Sequence, residues 1–356
     1  MQRVAMPKKQ GKSVLNIRIS IFGFVSNFDI RYSNLFRTLC FLLFWFIFFS
    51  TTVRADVISE ALDGQELLFQ RKYPEAIKLF EGLENKYPES PSGSFGLMAT
   101  YQLMMFENID FRFSNEYSEI EKRFESAVDK MLSGKPSSWD LFMSGAGYGM
   151  RGFYYARADK WFRALGSAIR AVQLLKRSVF ENPNFKDAYL GIGMYNYWRS
   201  VLTKGLSFLP FFGDRRKEGI EQIETAGCEG VYAQKLSESN LAFIYAYEKK
   251  FTKSREIVDR YLAQYPQNIL LRQLSARLYF LGRKFEKAAD EYKKIVQIDS
   301  AMTKSYYYLG VVYKYRPDGI VLAKDYFEKF LATNPEKEWA KYAHNQLESF
   351  KKSSKR

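Results

Sequence analysis

The segment that decides the fold is residues 64–88, GQELLFQRKYPEAIKLFEGLENKYP. Its apolar residues recur at spacings of three and four, which is the period of a helix and not of a strand. Gly64 falls in a first helix, Ala76 follows twelve residues later in a second helix, and Phe80 lies one turn further on. Pro74 suits the first turn of the second helix, where its missing N–H costs nothing. The segment therefore predicts two helices joined by a short turn, with Pro88 as the stop.

The same spacing returns towards the C-terminus, at intervals of about 34 residues. With the first unit near residues 57–90, clear repeats fall near 235–268, 269–302 and 303–336. In the last one, an extra residue lies in the turn at residues 316–319, which a repeat tolerates because turns face solvent. Residues 91–230 keep the pattern less regularly. We expect residues 91–160 to form longer helices with a degenerate repeat.

These units resemble the tetratricopeptide repeat, whose small residues let two helices touch and whose proline ends the pair. The resemblance covers roughly residues 57–336 and implies an all-α, TPR-like helix-turn-helix solenoid, a right-handed α-α superhelix. After Pro335, residues 337–351 predict one amphipathic helix that caps the open end of the stack. We expect a solenoid over residues 56–350 and a basic tail over 351–356. Residues 187–198 and 209–214 look like a bacterial branch of this superfamily.

The first 55 residues differ from the rest. They hold eight basic residues and one acidic residue, Asp29, and then an apolar run from Leu39 to Phe49. Val53 and Ala55 occupy the positions that precede signal-peptidase cleavage, here before Asp56. We predict a signal peptide and an exported protein, periplasmic or associated with the outer membrane of a Gram-negative-type bacterium. The alternative is an uncleaved helix at residues 38–53 that anchors the protein in the inner membrane.

Charge gives little support to nucleic-acid binding. The formal net charge of the whole chain is +15, but the leader and the C-terminal tail carry much of it. The tail favours a solvated end over contact with an acidic surface. A second route to a membrane is the apolar loop at residues 207–213, although such a loop more often plugs the gap between neighbouring repeats. We expect other proteins, as peptide or helical segments, to be the partners.

The resemblance implies that the first helix of each repeat lines an inner groove. The groove positions combine large rings with a few cations, which is typical of a binding hot spot. The alternative, residue by residue, is that a ring packs against the next repeat. The predicted partner-binding residues are Tyr197, Trp198, Asn240, Phe243, Tyr247, Arg277, Phe280, Lys304, Tyr307, Tyr308, Lys314 and Tyr315.

Nothing in the sequence indicates catalysis, a cofactor or a metal. The one histidine is His344, in the predicted terminal helix. Cys228 has no histidine near it in sequence, and we expect it to be a packed thiol in a turn. The glycines of residues 145–152 lack the Gly-Lys-Ser/Thr of a phosphate-binding loop and instead favour close helix crossing. The sequence thus predicts a non-catalytic scaffold of the cell envelope, or alternatively a membrane-anchored structural protein.

Overall fold

In the computed structural model, which describes residues 51–203 and 213–353, the chain forms fifteen α-helices and no strand. The predicted all-α solenoid is confirmed. The helices are α1 Thr51–Phe69, α2 Tyr73–Lys86, α3 Ser92–Glu107, α4 Ser114–Ser133, α5 Ser138–Arg157, α6 Trp161–Glu181, α7 Ala188–Leu202, α8 Arg216–Glu229, α9 Ala233–Tyr247, α10 Phe251–Gln264, α11 Ile269–Leu281, α12 Phe285–Ile298, α13 Lys304–Lys314, α14 Ile320–Ala332 and α15 Lys337–Ser353.

Successive helices form seven pairs, from α1–α2 to α13–α14, and each helix packs mainly against its neighbours along the chain. The four helices of residues 92–181 are long, with 16 to 21 residues each. They correspond to the stretch where longer helices were expected. Nearly every residue of α5 is buried, because helices pack on all its sides.

Small residues set the distance between helices. Phe80 of α2 lies between Gly64 of α1 and Gly96 of α3. A Cβ atom at Gly64 would stand 2.3 Å from the Phe80 ring, and one at Gly96 would stand 2.1 Å from it. The glycines of α5 act in the same way, since a Cβ at Gly147 would lie 2.2 Å from Phe124. The glycines expected to allow close helix crossing thus do so.

In four of the helix pairs, the turn that joins the two helices contains a residue with the same left-handed backbone conformation. Arg71, Asp159, Lys249 and Arg283 have φ between 57° and 63°, the left-handed region that favours glycine. The lysine that follows each of them donates its N–H to the carbonyl five residues earlier, as Lys250 does to Tyr245 at 2.8 Å. This closes the preceding helix in the Schellman manner. An aromatic residue then begins the second helix at Tyr73, Trp161, Phe251 and Phe285.

The last helix, α15, covers the end of the stack. Trp339, Ala343 and Phe350 are buried on one face of it, and Trp339 packs edge-on against Tyr307 of α13 with ring centroids 5.4 Å apart. The opposite face is polar, with His344 and Glu348 exposed. The predicted C-terminal capping helix is confirmed, since it buries the apolar side that the last pair would otherwise expose.

The first repeats also contact the last ones, far apart in sequence. Gln65 of α1 donates its side-chain Nε2 to the carbonyl of Tyr232 at 3.2 Å, and Tyr265 donates its hydroxyl to Glu66 at 2.8 Å. Phe69 stacks at a tilt on Tyr265, with ring centroids 5.1 Å apart. We call these contacts, together with those of Arg71, Glu107 and Lys304 described below, the closure. The solenoid therefore returns upon itself.

Several sequence predictions concern residues outside the described ranges. These are residues 1–50, which hold most of the predicted leader, residues 204–212, which include most of the apolar loop 207–213, and residues 354–356 of the predicted basic tail. The predicted cleavage point before Asp56 falls within α1. No helix in the described part of the chain is long and apolar enough to span a bilayer. Cys228 is exposed in the last turn of α8, so the expectation of a packed thiol was wrong.

Candidate partner-binding groove

The first predicted groove residues, on α7, belong to a packed aromatic group. Tyr197 is fully buried and donates its hydroxyl to Glu248 at 2.8 Å. Burial and this acid raise the pKa of Tyr197. Trp198 is also buried, edge-on to Tyr197 with ring centroids 4.8 Å apart and tilted on Tyr247 at 5.6 Å. At α7 the rings therefore pack against one another, as the alternative interpretation had it.

The three predicted residues on α9 are also buried or partly buried. Asn240 is buried and donates its amide to the carbonyl of Leu236, one turn earlier in the helix, at 2.7 Å. Phe243 and Tyr247 are partly buried against the core. The polar end of Asn240 is thus used within its own helix, while the two rings keep part of their surface in solvent.

The rings of α11 and α13 form a second group near the C-terminus. Phe280 is buried and lies edge-on to Tyr315, with ring centroids 5.2 Å apart. Tyr315 itself is 36% exposed. Tyr307 is buried among the rings of the capping helix, whereas its neighbour Tyr308 is partly buried and stacks on Tyr292 of α12 at 5.3 Å. The accessible rings here are Tyr308 and Tyr315.

Lys304, at the start of α13, takes part in the closure. Its Nζ donates to the carbonyls of Asn108 and Ile109, at 3.0 and 3.1 Å, and pairs with Glu336 at 3.1 Å. Burial lowers the pKa of Lys304. Its charge thus joins the end of α3 to the last repeats and is fully occupied within the chain.

Arg277, in the middle of α11, differs from every other cation of the predicted groove. Its side chain is partly exposed, and its Nε is buried with no hydrogen-bond partner. Burial lowers the pKa of Arg277, with Tyr292 and Tyr308 as the groups that offset it. Across residues 51–203 and 213–353, no acid lies within 4.0 Å of its guanidinium as an ion-pair partner. A guanidinium whose Nε is buried without an acceptor is costly, which makes Arg277 a candidate position for an anion.

Lys314, at the end of α13, is a second groove cation with neutral partners. Its Nζ donates to the side chains of Gln346 at 2.7 Å and Ser349 at 3.4 Å, both on α15. It also lies over the ring of Phe350, 5.5 Å from the ring centroid. Burial lowers the pKa of Lys314. The last two repeats therefore present positive charge that the chain does not neutralise.

Two buried groups were not anticipated from the sequence. Glu107, at the end of α3, accepts from Tyr73 at 2.7 Å and pairs with Arg71 at 2.9 Å, and Arg71 also reaches Asp299. Asp187 accepts the N–H groups of Tyr232 and Ala233 at the start of α9, at 2.9 and 2.7 Å. Nothing in the sequence spacing indicates the partners of these two acids, which lie 34 to 46 residues away.

The described residues hold no group of three or more His, Cys, Asp and Glu side chains that would suit a metal ion. His344 is exposed on α15 and Cys228 on α8, so the two lie on separate elements. In this part of the chain the groove offers rings, two cations and polar groups.

No family model matches the sequence, and no curated protein matches it. Among solved structures, the chain is similar to the C-terminal part of a TPR repeat-containing protein from Cytophaga hutchinsonii, at 18% identity and a TM-score of 0.40, over 80% of this chain and 98% of that one. It is also similar to PilW, a type IV pilus biogenesis factor, at 15% identity and a TM-score of 0.42, over 66% and 97%. A human IFIT1 dimer with m7Gppp-AAAA gives 15% identity and a TM-score of 0.45, over 90% and 78%. These are similarities of fold.

Proposed function

We propose that the protein is a non-catalytic scaffold of the bacterial cell envelope that holds an acidic segment of another protein against α11 and α13. The observation that carries this is Arg277, whose buried Nε has no partner and whose charge has no acid in the described residues. A carboxylate is the planar anion that a guanidinium binds best, through two parallel hydrogen bonds.

The neighbouring side chains suit the same ligand. Tyr308 and Tyr315 keep exposed ring surface on which a peptide would pack, and aromatic anchors beside a charged group are typical of binding hot spots. Lys314 adds a second positive charge from the end of α13. Tyr197, Trp198 and Asn240, by contrast, are buried inside the protein, so the proposed site is confined to the last two repeats.

Peptide binding measured by fluorescence anisotropy tests this site. A labelled peptide rich in Asp and Glu is compared with its Asn and Gln counterpart, against the full chain and its Arg277→Met variant. We expect the acidic peptide to bind better to the unaltered chain, and Arg277→Met to weaken that binding about tenfold or more, as for loss of a charge-assisted hydrogen bond.

The matched control is Lys253→Met, which removes an exposed cation of α10 away from α11 and α13. It should leave the affinity unchanged. Equal binding of both peptides, or equal loss in the two variants, would contradict the proposal.

The envelope location rests on the leader in the sequence. Basic residues, the apolar run Leu39–Phe49 and the small residues before Asp56 follow the order of a signal peptide. The same run supports the second candidate, a structural protein that keeps residues 38–53 as a membrane anchor. N-terminal sequencing of the protein from fractionated cells decides between them. A start at Asp56 removes the anchor, whereas an intact leader in the inner-membrane fraction rules out the cleaved form.

A further inference from the structure

The outer face of α6 carries large apolar side chains in water. Phe162 is 94% exposed, Phe180 83%, Leu165 58% and Ile169 42%. Their spacings of three, four and eleven residues place them on one side of the helix, along its whole length. The opposite side is already used, because Ala164, Ala171 and Leu175 are buried there. The stripe therefore lies on the solvent-exposed surface, away from the side of α6 that packs in the repeats.

Cations border this stripe. Arg163, Arg170 and Arg177 recur every seven residues, which makes a row along one side of it, and all three are exposed. Lys176 is exposed within the stripe itself, between Leu165 and Ile169 around the helix axis. The only acid of α6 is Glu181, at its last residue, 3.6 Å from Arg177. The outer face of α6 is thus largely apolar, with Gln173 and Lys176 between its apolar side chains and a row of arginines along one edge.

The positive charge of α6 indicates which kind of partner its outer face would bind. A second copy would bring two sets of these cations together, with only one acid from each helix. Residues 1–38 carry seven basic residues and one acid, so this part of the leader would also be repelled. An apolar stripe with Phe and Leu beside Arg and Lys is the composition of helices that lie in the interface of an anionic bilayer. Side chains that protrude in this way can also bind a partner that has no groove.

We propose that the outer face of α6 docks onto a membrane surface rich in anionic phospholipid. Phe162 and Phe180 enter the boundary between headgroups and acyl chains at the two ends of the helix. Leu165 and Ile169 follow between them, while the arginine row stays at the level of the lipid phosphates. This contact is separate from the groove of α11 and α13, so it stands whether or not the acidic-segment site exists.

Vesicle co-sedimentation of the full chain tests the proposal. Vesicles of phosphatidylcholine alone are compared with vesicles that contain about one-third phosphatidylglycerol. The double variant Phe162→Ser/Phe180→Ser and the double variant Arg163→Gln/Arg170→Gln should each lower binding to the anionic vesicles about fivefold or more. Val321→Ser is the matched control, since Val321 is 76% exposed on α14 and lies outside the stripe. Every variant keeps residues 1–50, so their own membrane affinity is common to all.

A probe on the helix supplies a readout that residues 1–50 do not influence. Gln173 is exposed on the stripe, and Cys228 is exposed on α8. An environment-sensitive dye on Gln173→Cys, with Cys40 and Cys228 replaced by Ser, should shift to shorter wavelength on anionic vesicles only. The same dye on Cys228, in a Cys40→Ser chain, should not shift.

Three results would overturn the proposal. The first is a dye at residue 173 that stays in water while the chain sediments with anionic vesicles. The second is equal binding by the chain and both double variants. The third is a dimer in light scattering that Phe162→Ser/Phe180→Ser converts to monomer, since the stripe would then be an interface between two copies.

Discussion

At the scale of single residues, two arginines about one turn and a half apart on α11 have different surroundings. Arg272 pairs with Glu291 at 2.8 Å, and both side chains are largely buried. Arg277 lies on the same helix with its Nε unpartnered. The first arginine offsets the cost of its burial within the chain, whereas the second does not.

We therefore expect Arg277→Met to raise the free energy of unfolding by about 1 kcal/mol, because it removes a desolvated charge and keeps the volume. Arg272→Met should lower it by about 2 kcal/mol, because it leaves the buried Glu291 with only the half-exposed Lys294 as a partner. Urea unfolding followed by circular dichroism measures both. A loss of stability in Arg277→Met would mean that the chain itself satisfies that guanidinium.

The glycines around Phe80 give a second prediction at this scale. Gly96→Ala should lower the free energy of unfolding by about 1–3 kcal/mol, since its Cβ would overlap the ring. A Cβ atom at Gly82, in the middle of α2, would meet no atom within 4 Å, so Gly82→Ala should raise stability by about 0.5–1 kcal/mol through helix propensity. Thermal unfolding of the two variants checks the pair. Equal effects would contradict the close approach at Phe80.

Among the helices, the start of α9 depends on a side chain from the preceding repeat. Asp187 accepts two backbone N–H groups of residues 232 and 233 that no helical carbonyl satisfies. Burial is the largest influence on this carboxyl and raises its pKa to about 7, although both backbone bonds act in the other direction.

Because of this raised pKa, the free energy of unfolding should depend on pH in a definite direction. The folded chain keeps a proton on Asp187 between about pH 4 and 7, where the unfolded chain has released it. Stability should therefore fall as pH rises through that window, by at most about 1.4 kcal/mol per pH unit from this group. Asp187→Asn keeps an acceptor without the charge, so its unfolding free energy should depend less on pH. Identical slopes for the two proteins between pH 5 and 8 would exclude this assignment.

The elements themselves were largely predictable from the sequence. Glycine, alanine and proline at fixed offsets placed the first unit and the last three, because only small residues allow two helices to touch and proline ends the pair. The bounds of the helices between residues 91 and 181 were less accessible. There the repeat is degenerate. Because α5 is buried on nearly every side, its sequence lacks the one-sided apolar pattern that marks a surface helix.

The candidate site was predictable only in outline. Groove positions follow from the repeat, but the surroundings of Tyr197 and Tyr308 depend on side chains from other repeats, such as Glu248 and Tyr292. Lys304 shows the limit most clearly. Its position on α13 suggested a ligand-binding cation, yet its Nζ bonds to the carbonyls of residues 108 and 109, almost 200 positions away.

For the molecule as a whole, the closure joins the first two repeats to the last three. Arg71 bridges Glu107 and Asp299, and Lys304 bridges the α3–α4 turn and Glu336. Gln273 adds a bond from α11 to the carbonyl of Glu107 at 2.8 Å. The two ends of the solenoid therefore hold each other in place.

Lys304→Met should open this contact, because it leaves the carbonyls of Asn108 and Ile109 without their donor, a loss of about 1–3 kcal/mol. We expect faster amide hydrogen exchange in residues 105–113 and a larger radius of gyration in small-angle scattering. Lys122→Met is the control, since it removes a solvent-exposed pair with Glu119. Unchanged exchange in residues 105–113 would show that Lys304 does not hold the two ends together.

The closure also bears on how the chain reaches its native state. Repeat arrays usually fold quickly, because their contacts join residues close in sequence and each unit needs only its neighbours. Here the bonds of Gln65 and Arg71 span 167 and 228 residues. The first repeat cannot complete its contacts until the ninth to twelfth helices exist, so the ordering of the N-terminal pair should wait for synthesis of the C-terminal half.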